Sequence, residues 1–358
     1  MGLNAQSVCG SIHPMDDHFP TAGATRRATS YDVAKRAGVS QSAVSRCFRG
    51  GASISDDTRA RVLSAARALD YTPNKIARSL MTQRSRIIAV LVTEATLSSY
   101  PNLLLHLGRE IQAADHRMLV FILPGHGDGS DAKDALADIL GYHIDAVISG
   151  VTLSDAMMRV CANQRLPVVA YNRPSRHAWA SSVGCDDQAA MTELVAHLRA
   201  GGCRRMFFIG GPLSAETAGL RLRAAMTASA EQGVELLGVT HADYSYEGGR
   251  LAAHALFDDS VPADAIVCAN DAMALGVLDH CRHDRGLNVP RDIMVTGYDD
   301  VPEGGHAAYG LTTLGQPHEA LTRAAVRIAC DRLDGTGMAG ERRLLPVRLI
   351  ARCSTRHS

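Results

Sequence analysis

The chain has 358 residues, with 37 Lys plus Arg against 37 Asp plus Glu and a formal net charge of zero. A hydrophobic fraction of 46% supports a sizeable core and excludes wholesale disorder. No apolar run approaches the ~18 residues of a membrane helix, and nine scattered cysteines without a C-x-x-C pair suggest neither a disulfide framework nor a zinc site.

This length predicts two or three domains. Residues 1–25 contain no Lys or Arg and no apolar stretch, so no secretory signal is expected, and the cysteine usage fits a reducing compartment. The neutral total hides an asymmetry. Residues 26–86 carry thirteen Lys or Arg and four Asp or Glu, a net +9, which leaves −9 for the rest. A short basic segment on an acidic body is the charge layout of a nucleic-acid-binding head on a regulatory or catalytic body.

The first 27 residues show no periodicity and are expected to form a disordered tail. Three short helical patterns follow. Thr29 caps the first in a variant of the capping box with Asp32, and Tyr31, Val33, Ala34 and Ala37 form its apolar side. Gly38 supplies the turn. Ser40 caps the second, which turns Val44 and Phe48 inward and leaves Gln41, Ser42, Ser45 and Arg46 outside. Ser55 caps a third, running to about Leu69 on a stripe of Val62, Leu63, Ala66 and Leu69. Helix, short glycine turn and helix make the helix-turn-helix unit, whose second helix presents its N-terminal side chains to base edges. Small or polar Gln41, Ser42 and Ala43 suit that position; an ordinary three-helix bundle is the bland alternative. Pro73 stops the third helix. In residues 74–81, Ile76, Ala77 and Leu80 form an apolar stripe that either packs on the next domain or wedges into a minor groove.

From Ile87 onward, strand candidates at 87–92, 118–123, 146–149, 168–171, 182–184, 206–209, 265–269 and 293–297 alternate with helical patterns such as 188–200, 218–232 and 272–284. This alternation predicts βαβ units and parallel sheets, with room for two sheets side by side. Ligands bind beyond the carboxyl ends of such strands. There the polar pairs Asn172-Arg173, Asn270-Asp271 and Asp299-Asp300 are candidates for one shared cleft, although each also serves as a cap or turn former.

The stretches Tyr31-Asp32-Val33-Ala34, Ala37-Gly38-Val39-Ser40 and Val44-Ser45-Arg46 resemble the helix-turn-helix of the LacI/GalR family of bacterial repressors. Thr58-Arg59, Leu69-Asp70-Tyr71, Pro73-Asn74 and Ile76-Ala77-Arg78-Ser79-Leu80 resemble its third helix and hinge. Tyr171-Asn172-Arg173, Gly210-Gly211-Pro212, Ala269-Asn270-Asp271-Ala272-Met273-Ala274, Gly297-Tyr298-Asp299-Asp300 and Thr312-Thr313-Leu314-Gly315-Gln316-Pro317 resemble its effector domain. The match covers about residues 29–356 in order.

The resemblance implies a small all-α helix-turn-helix head on a periplasmic-binding-protein-like α/β body. That body would comprise two doubly wound parallel-sheet subdomains joined by crossovers near residues 185, 315 and 345. It implies four segments: a tail (1–27), the DNA-binding domain (28–73), a hinge helix and linker (74–85) and an effector domain (86–358). One subdomain would hold about 86–185 plus 316–345, the other about 186–315 plus 346–358. DNA contacts would come from Thr29, Tyr31, Ser40, Gln41, Ser42, Ser45, Arg46, Arg49, Asn74, Ala77 and Leu80. Leu80 falls on the hinge leucine that family members wedge into the operator. Effector contacts would come from Asn172, Arg173, Arg221, Tyr244, Asn270, Asp271, Asp299 and Gln316. The expected partners are a double-stranded DNA operator and a sugar-like small molecule, bound by a homodimer or a higher assembly in the bacterial cytoplasm, with no metal, cofactor or membrane. Arg49, Gly219 and the Tyr100-Pro101 dipeptide depart from the common family pattern, which leaves ligand identity open.

No Walker, Gly-x-Ser-x-Gly or H-E-x-x-H motif is present, and Gly125-His126-Gly127-Asp128-Gly129 lacks dinucleotide-loop spacing, so catalysis is not expected. His280, Cys281 and His283 read as a polar helix face sooner than as a metal site. The competing function is a small-molecule-binding protein or enzyme on the same scaffold without operator binding.

Overall fold

The computed structural model describes residues 28–48, 54–72, 84–93, 97, 100, 102–123, 139–258 and 263–356. The expected tail, Arg49, the hinge residues Asn74, Ala77 and Leu80, and the 125–129 loop lie outside the described residues. The chain divides into two compact units, Met1–Arg78 and Ser79–Ser358.

In the first unit, α1 (Ser30–Ala37), α2 (Gln41–Cys47) and α3 (Asp56–Ala68) each start at a hydroxyl cap, Thr29, Ser40 and Ser55 respectively. Thr29 and Asp32 close a reciprocal capping box. Gly38 ends α1 at φ +64°, a conformation that penalises any Cβ. Val33, Ala34, Ala37, Val44, Cys47, Val62, Ala65 and Ala66 form the core between the three helices. Three sequence expectations are corrected here. Tyr31 is 72% exposed and Leu63 37% exposed, whereas Ala43 is buried. Val33, Ala34 and Ala37 fill the inward side of α1 and Val62, Ala65 and Ala66 that of α3, so Tyr31 and Leu63 fall outside, and Ala65 takes the inward place expected of Leu63.

The second unit contains two six-stranded sheets. The first comprises β1 (Ile87–Val92), β2 (Arg117–Ile122), β3 (Ala146–Ser149), β4 (Val168–Tyr171), β5 (Ser181–Cys185) and β11 (Arg342–Leu345), in the order β11-β5-β4-β3-β1-β2. The second comprises β6 (Arg205–Gly210), β7 (Glu235–His241), β8 (Ala265–Cys268), β9 (Met294–Asp299), β10 (Thr312–Gly315) and β12 (Arg348–Ile350), in the order β12-β10-β9-β8-β6-β7. Nine of the ten strand pairings are parallel and one, β10–β12, is antiparallel; both sheets share one doubly wound order. 

The chain changes sheet three times, after Cys185, Gly315 and Leu345. The first two crossings run through α6 (Asp187–Ala200) and α10 (His318–Leu333). The remaining helices are α4 (Leu103–Ala113), α5 (Asp155–Asn163), α7 (Glu216–Gln232), α8 (Tyr246–Asp258) and α9 (Asp271–Asp279). Along β1, Ile88, Val90 and Val92 enter one apolar cluster and Ala89 and Leu91 enter the other, the alternation of a strand covered on both faces. A π-helical turn, His280–Asp284, continues α9. It turns His280 and Cys281 inward and leaves His283 exposed, so these three side chains neither form a polar face nor converge on a metal.

The capping box yields a test of the first unit. Thr29→Ala should cost about 1 kcal/mol and speed amide exchange within α1 about fivefold, whereas Thr29→Asp should keep protection near wild type. Exchange measured on the full chain checks both.

Candidate functional site

On the first unit, α2 exposes Gln41, Ser42 and Arg46, with Ser45 half-buried. Gln41 Nε2 donates to Ser30 Oγ at 3.3 Å, which sets the N-termini of α1 and α2 side by side. Thr29 and exposed Tyr31 therefore share an edge with Gln41 and Ser42. Ser40 and Thr29 are committed to their caps, through Ala43 N–H at 3.2 Å and Asp32 respectively. The outcome is a polar, exposed edge of α2 that carries the Arg46 guanidinium, with Val44 turned into the core.

On the second unit, the carboxyl ends of strands from both sheets converge. Asp299 ends β9, Gln316 follows β10, Asn172 follows β4, and Tyr100 lies beyond β1. Gln316 Nε2 donates to Asp299 Oδ1 and to the Tyr100 hydroxyl, each at 2.6 Å. The Tyr100 hydroxyl donates to Asp299 Oδ1 at 3.2 Å and accepts from Asn172 Nδ2 at 3.3 Å. Arg221, reaching from α7, is buried. Its Nη1 donates to the Ala269 carbonyl at 2.6 Å, Nη2 lies 3.6 Å from Asp299 Oδ1, and Nε lies 3.9 Å from Asp187 Oδ1. The guanidinium stacks 3.6 Å from the Tyr298 ring centroid, and the Tyr298 hydroxyl donates to Asp187 Oδ1 at 2.5 Å.

Burial opposes the charge on Arg221, but the carboxylates of Asp299 and Asp187 hold it firmly protonated. The cost of burial falls on the acids. Burial lifts Asp299 to about 7 against the pull of Arg221, and it raises Asp187 in the same way. Burial, with His106 and Arg221 nearby, lowers His318 to about 4, so this imidazole is neutral at physiological pH.

Of the sequence-derived effector candidates, the structure brings Asn172, Arg221, Asp299 and Gln316 into one bonded cluster. Arg173 sits beside it, with Nη1 on Thr152 Oγ1 at 2.9 Å and a buried Nε lacking a partner. The Tyr244 ring rests on Gly211, where an added Cβ would come within 2.0 Å of it, and its hydroxyl is buried without a partner. Asn270 is engaged locally: it caps α9 through Met273 N–H and donates to the Tyr244 carbonyl, each at 3.0 Å. Asp271 is a correction to the idea of a ligand-facing pair. Its two oxygens are taken by the Thr313 hydroxyl at 2.6 Å and Val301 N–H at 2.8 Å, inside the second sheet's own packing. Asp300 likewise turns away, to Arg352 at 2.6 Å.

Tyr100, Asp187, Tyr298 and His318 were not identified from sequence as site residues. Tyr298 lies inside a recognised motif, Asp187 follows a strand end, and Tyr100 belongs to the dipeptide that departs from the family pattern, whereas His318 carries no local signal. Among the described residues, seven buried side-chain polar atoms lack partners, and Tyr171, Arg173, Arg221, Tyr244 and His318 supply five of them. Orphaned polar groups are costly, and those gathered here leave donors and acceptors that polar ligand atoms could satisfy.

Asp299 at about 7 and Asp271 at about 6 both bind a proton more tightly in the folded than in the unfolded chain, because burial dominates. Their contribution to stability is thus fully present below the unfolded carboxylate pKa and is lost as pH rises through 6 and 7. The Tm of the protein without added ligand should fall between pH 5 and 8, and Asp299→Asn should flatten the upper part of that fall. Thermal melts across this range check it.

Residues 29–74 match the family described as bacterial regulatory proteins, lacI family, and residues 195–355 match the periplasmic binding protein-like domain. The HTH-type transcriptional repressor CytR of Escherichia coli (strain K12) is 30% identical over 336 residues, covering 92% of this chain and 96% of that protein. The structure of the lac repressor dimer bound to operator and the anti-inducer ONPF superimposes with a TM-score of 0.84 at 26% identity, covering 92% of this chain and 99% of that one. A transcriptional regulator CelR–cellobiose complex superimposes with a TM-score of 0.69 at 28% identity, covering 92% and 100%. These relatives are transcription regulators and not enzymes. With a helix-turn-helix edge on one unit and a two-sheet polar cleft on the other, the chain belongs to the lacI family of bacterial regulatory proteins.

Proposed function

We propose that this protein is a cytoplasmic transcriptional repressor that grips a pseudo-palindromic operator as a homodimer and answers to a sugar or sugar-acid effector. In this reading residues 28–73 form the DNA-binding domain, 74–85 the hinge and linker, and 86–358 the effector domain. Gln41, Ser42, Ser45 and Arg46 face the major groove, and Tyr31 stands at its edge. Arg49, Asn74, Ala77 and Leu80 carry further DNA contacts, with Leu80 as the minor-groove wedge. The observation that carries the effector half is the Arg221–Asp299–Gln316–Tyr100–Asn172 cluster, which joins strand ends of both sheets. A charged, fixed hydrogen-bonding set of this kind selects ligands rich in hydroxyls. The lac repressor dimer on its operator and CelR with cellobiose support the same assignment by kinship.

Effector binding changes DNA affinity only through different affinities for two arrangements of the body. Asp299→Asn and Arg221→Lys should therefore weaken effector binding by about 1.5–3 kcal/mol and remove the response, while operator affinity stays at wild type. Gel shifts on DNA flanking the gene, with and without a panel of sugars, measure both quantities.

The basic first unit adds a second expectation. Specific affinity should fall by about 10³ or more between 50 and 200 mM salt, as for six or more phosphate contacts. Sedimentation should show two chains per operator. A monomer bound tightly to an asymmetric site would overturn the assignment.

A further inference from the structure

Tyr100 is bonded as a free hydroxyl would be. A hydroxyl has one proton to give and two lone pairs to fill. The phenol gives its proton to Asp299 Oδ1 at 3.2 Å and accepts from Gln316 Nε2 at 2.6 Å and Asn172 Nδ2 at 3.3 Å, so its capacity is saturated. Its partners come from both sheets, Asn172 after β4 of the first and Asp299 and Gln316 after β9 and β10 of the second. The Gln316 amide is held in that orientation from behind, because the Cys185 thiol donates to its Oε1 at 3.4 Å. The Tyr100 ring leans on His318, with centroids 4.4 Å apart.

We propose that the Tyr100 hydroxyl is a built-in competitor of the effector, holding the strand ends of the two sheets together until a ligand hydroxyl takes over its three partners. This rests on the reading that the cluster binds the effector. It narrows the ligand class at this point of the cleft. Two amide donors and one carboxylate acceptor fit a neutral alcohol. Above pH 7, where Asp299 is ionised, a carboxylate cannot donate to it, and an ammonium cannot accept from Asn172 and Gln316, so neither replaces the phenol there. A sugar acid must turn its acid group elsewhere.

The test compares the full chain with Tyr100→Phe, which keeps the ring against His318 and deletes only the bridging hydroxyl. Without added sugar, amide exchange in peptides spanning 168–174 and 312–318 should quicken about tenfold in the variant. Calorimetric titration with D-ribose, D-glucose and cellobiose as probes should show a bound sugar held about tenfold more tightly by the variant, because nothing has to be displaced. Unchanged exchange overturns the closure. Weaker sugar binding by the variant overturns the competition, since Tyr100 would then be a direct ligand contact. Faster exchange with no sugar bound by either protein supports the closure and overturns the sugar reading of the site, which separates the two failures.

Discussion

The second unit is organised around one buried cation. Arg221 is 5% exposed, and its guanidinium meets a carbonyl, two carboxylates and the flat of an aromatic ring, with Nε near Asp187 but not hydrogen-bonded. A charge taken this far out of water is tolerable only when paired, and deleting one partner of such a set costs about 3–5 kcal/mol. Asp187 is supplied by the crossing helix α6 and Asp299 by β9, so the cation fastens the first crossover to the end of the second sheet. The raised carboxyls are the reverse side of the same arrangement. Two acids share one guanidinium: at Arg221 their pull outweighs burial, and at both acids burial outweighs the pull of Arg221.

The backbone around this centre is held in uncommon conformations. Asn172 (φ 55°), Tyr244 (φ 67°), Asp299 (φ 128°) and Asp300 (φ 64°) all lie in left-handed space without being glycine. Each left-handed residue of this kind costs about 1–3 kcal/mol and persists because its surroundings over-determine it. At Asp299 those surroundings are the bonds to Gln316 and Tyr100, and at Tyr244 they are the seat on Gly211 and the bond to Asn270. These turns bend the strand ends so that side chains from separate strands aim at one point. The strain and the convergence are one feature.

The architecture was legible where burial is uniform. β1, β4, β8 and β3 as far as Ile148 run as continuous apolar stretches because both faces are covered, and such runs stand out in a sequence. β7, β11 and β12 escaped notice because they lie at sheet edges and expose alternate or successive residues, Arg342 and Arg343 among them. β10 escaped for the opposite reason. Its Thr312 and Thr313 are fully buried, and their hydroxyls bond to Arg352, Thr355 and Asp271, which no local pattern reveals. At the site, motif residues such as Asp299 and Gln316 could be named in advance. Tyr100 could not, since its partners lie 72, 199 and 216 positions away.

The threefold exchange of the chain between sheets also governs how this protein comes into being. The first sheet is not complete after its five consecutive strands: its edge, β11, and the helix α10 that covers it arrive only after the whole second sheet but β12 has been made. Until residue 345 has left the ribosome, β5 offers an unpaired edge, and the apolar residues meant for α10 stand uncovered. Domains commonly fold one after another from the N-terminus during synthesis. Here the order of translation and the order of packing disagree, so the body must close late and as a single unit. The nascent chain carries its greatest exposure to aggregation just before its last strands emerge.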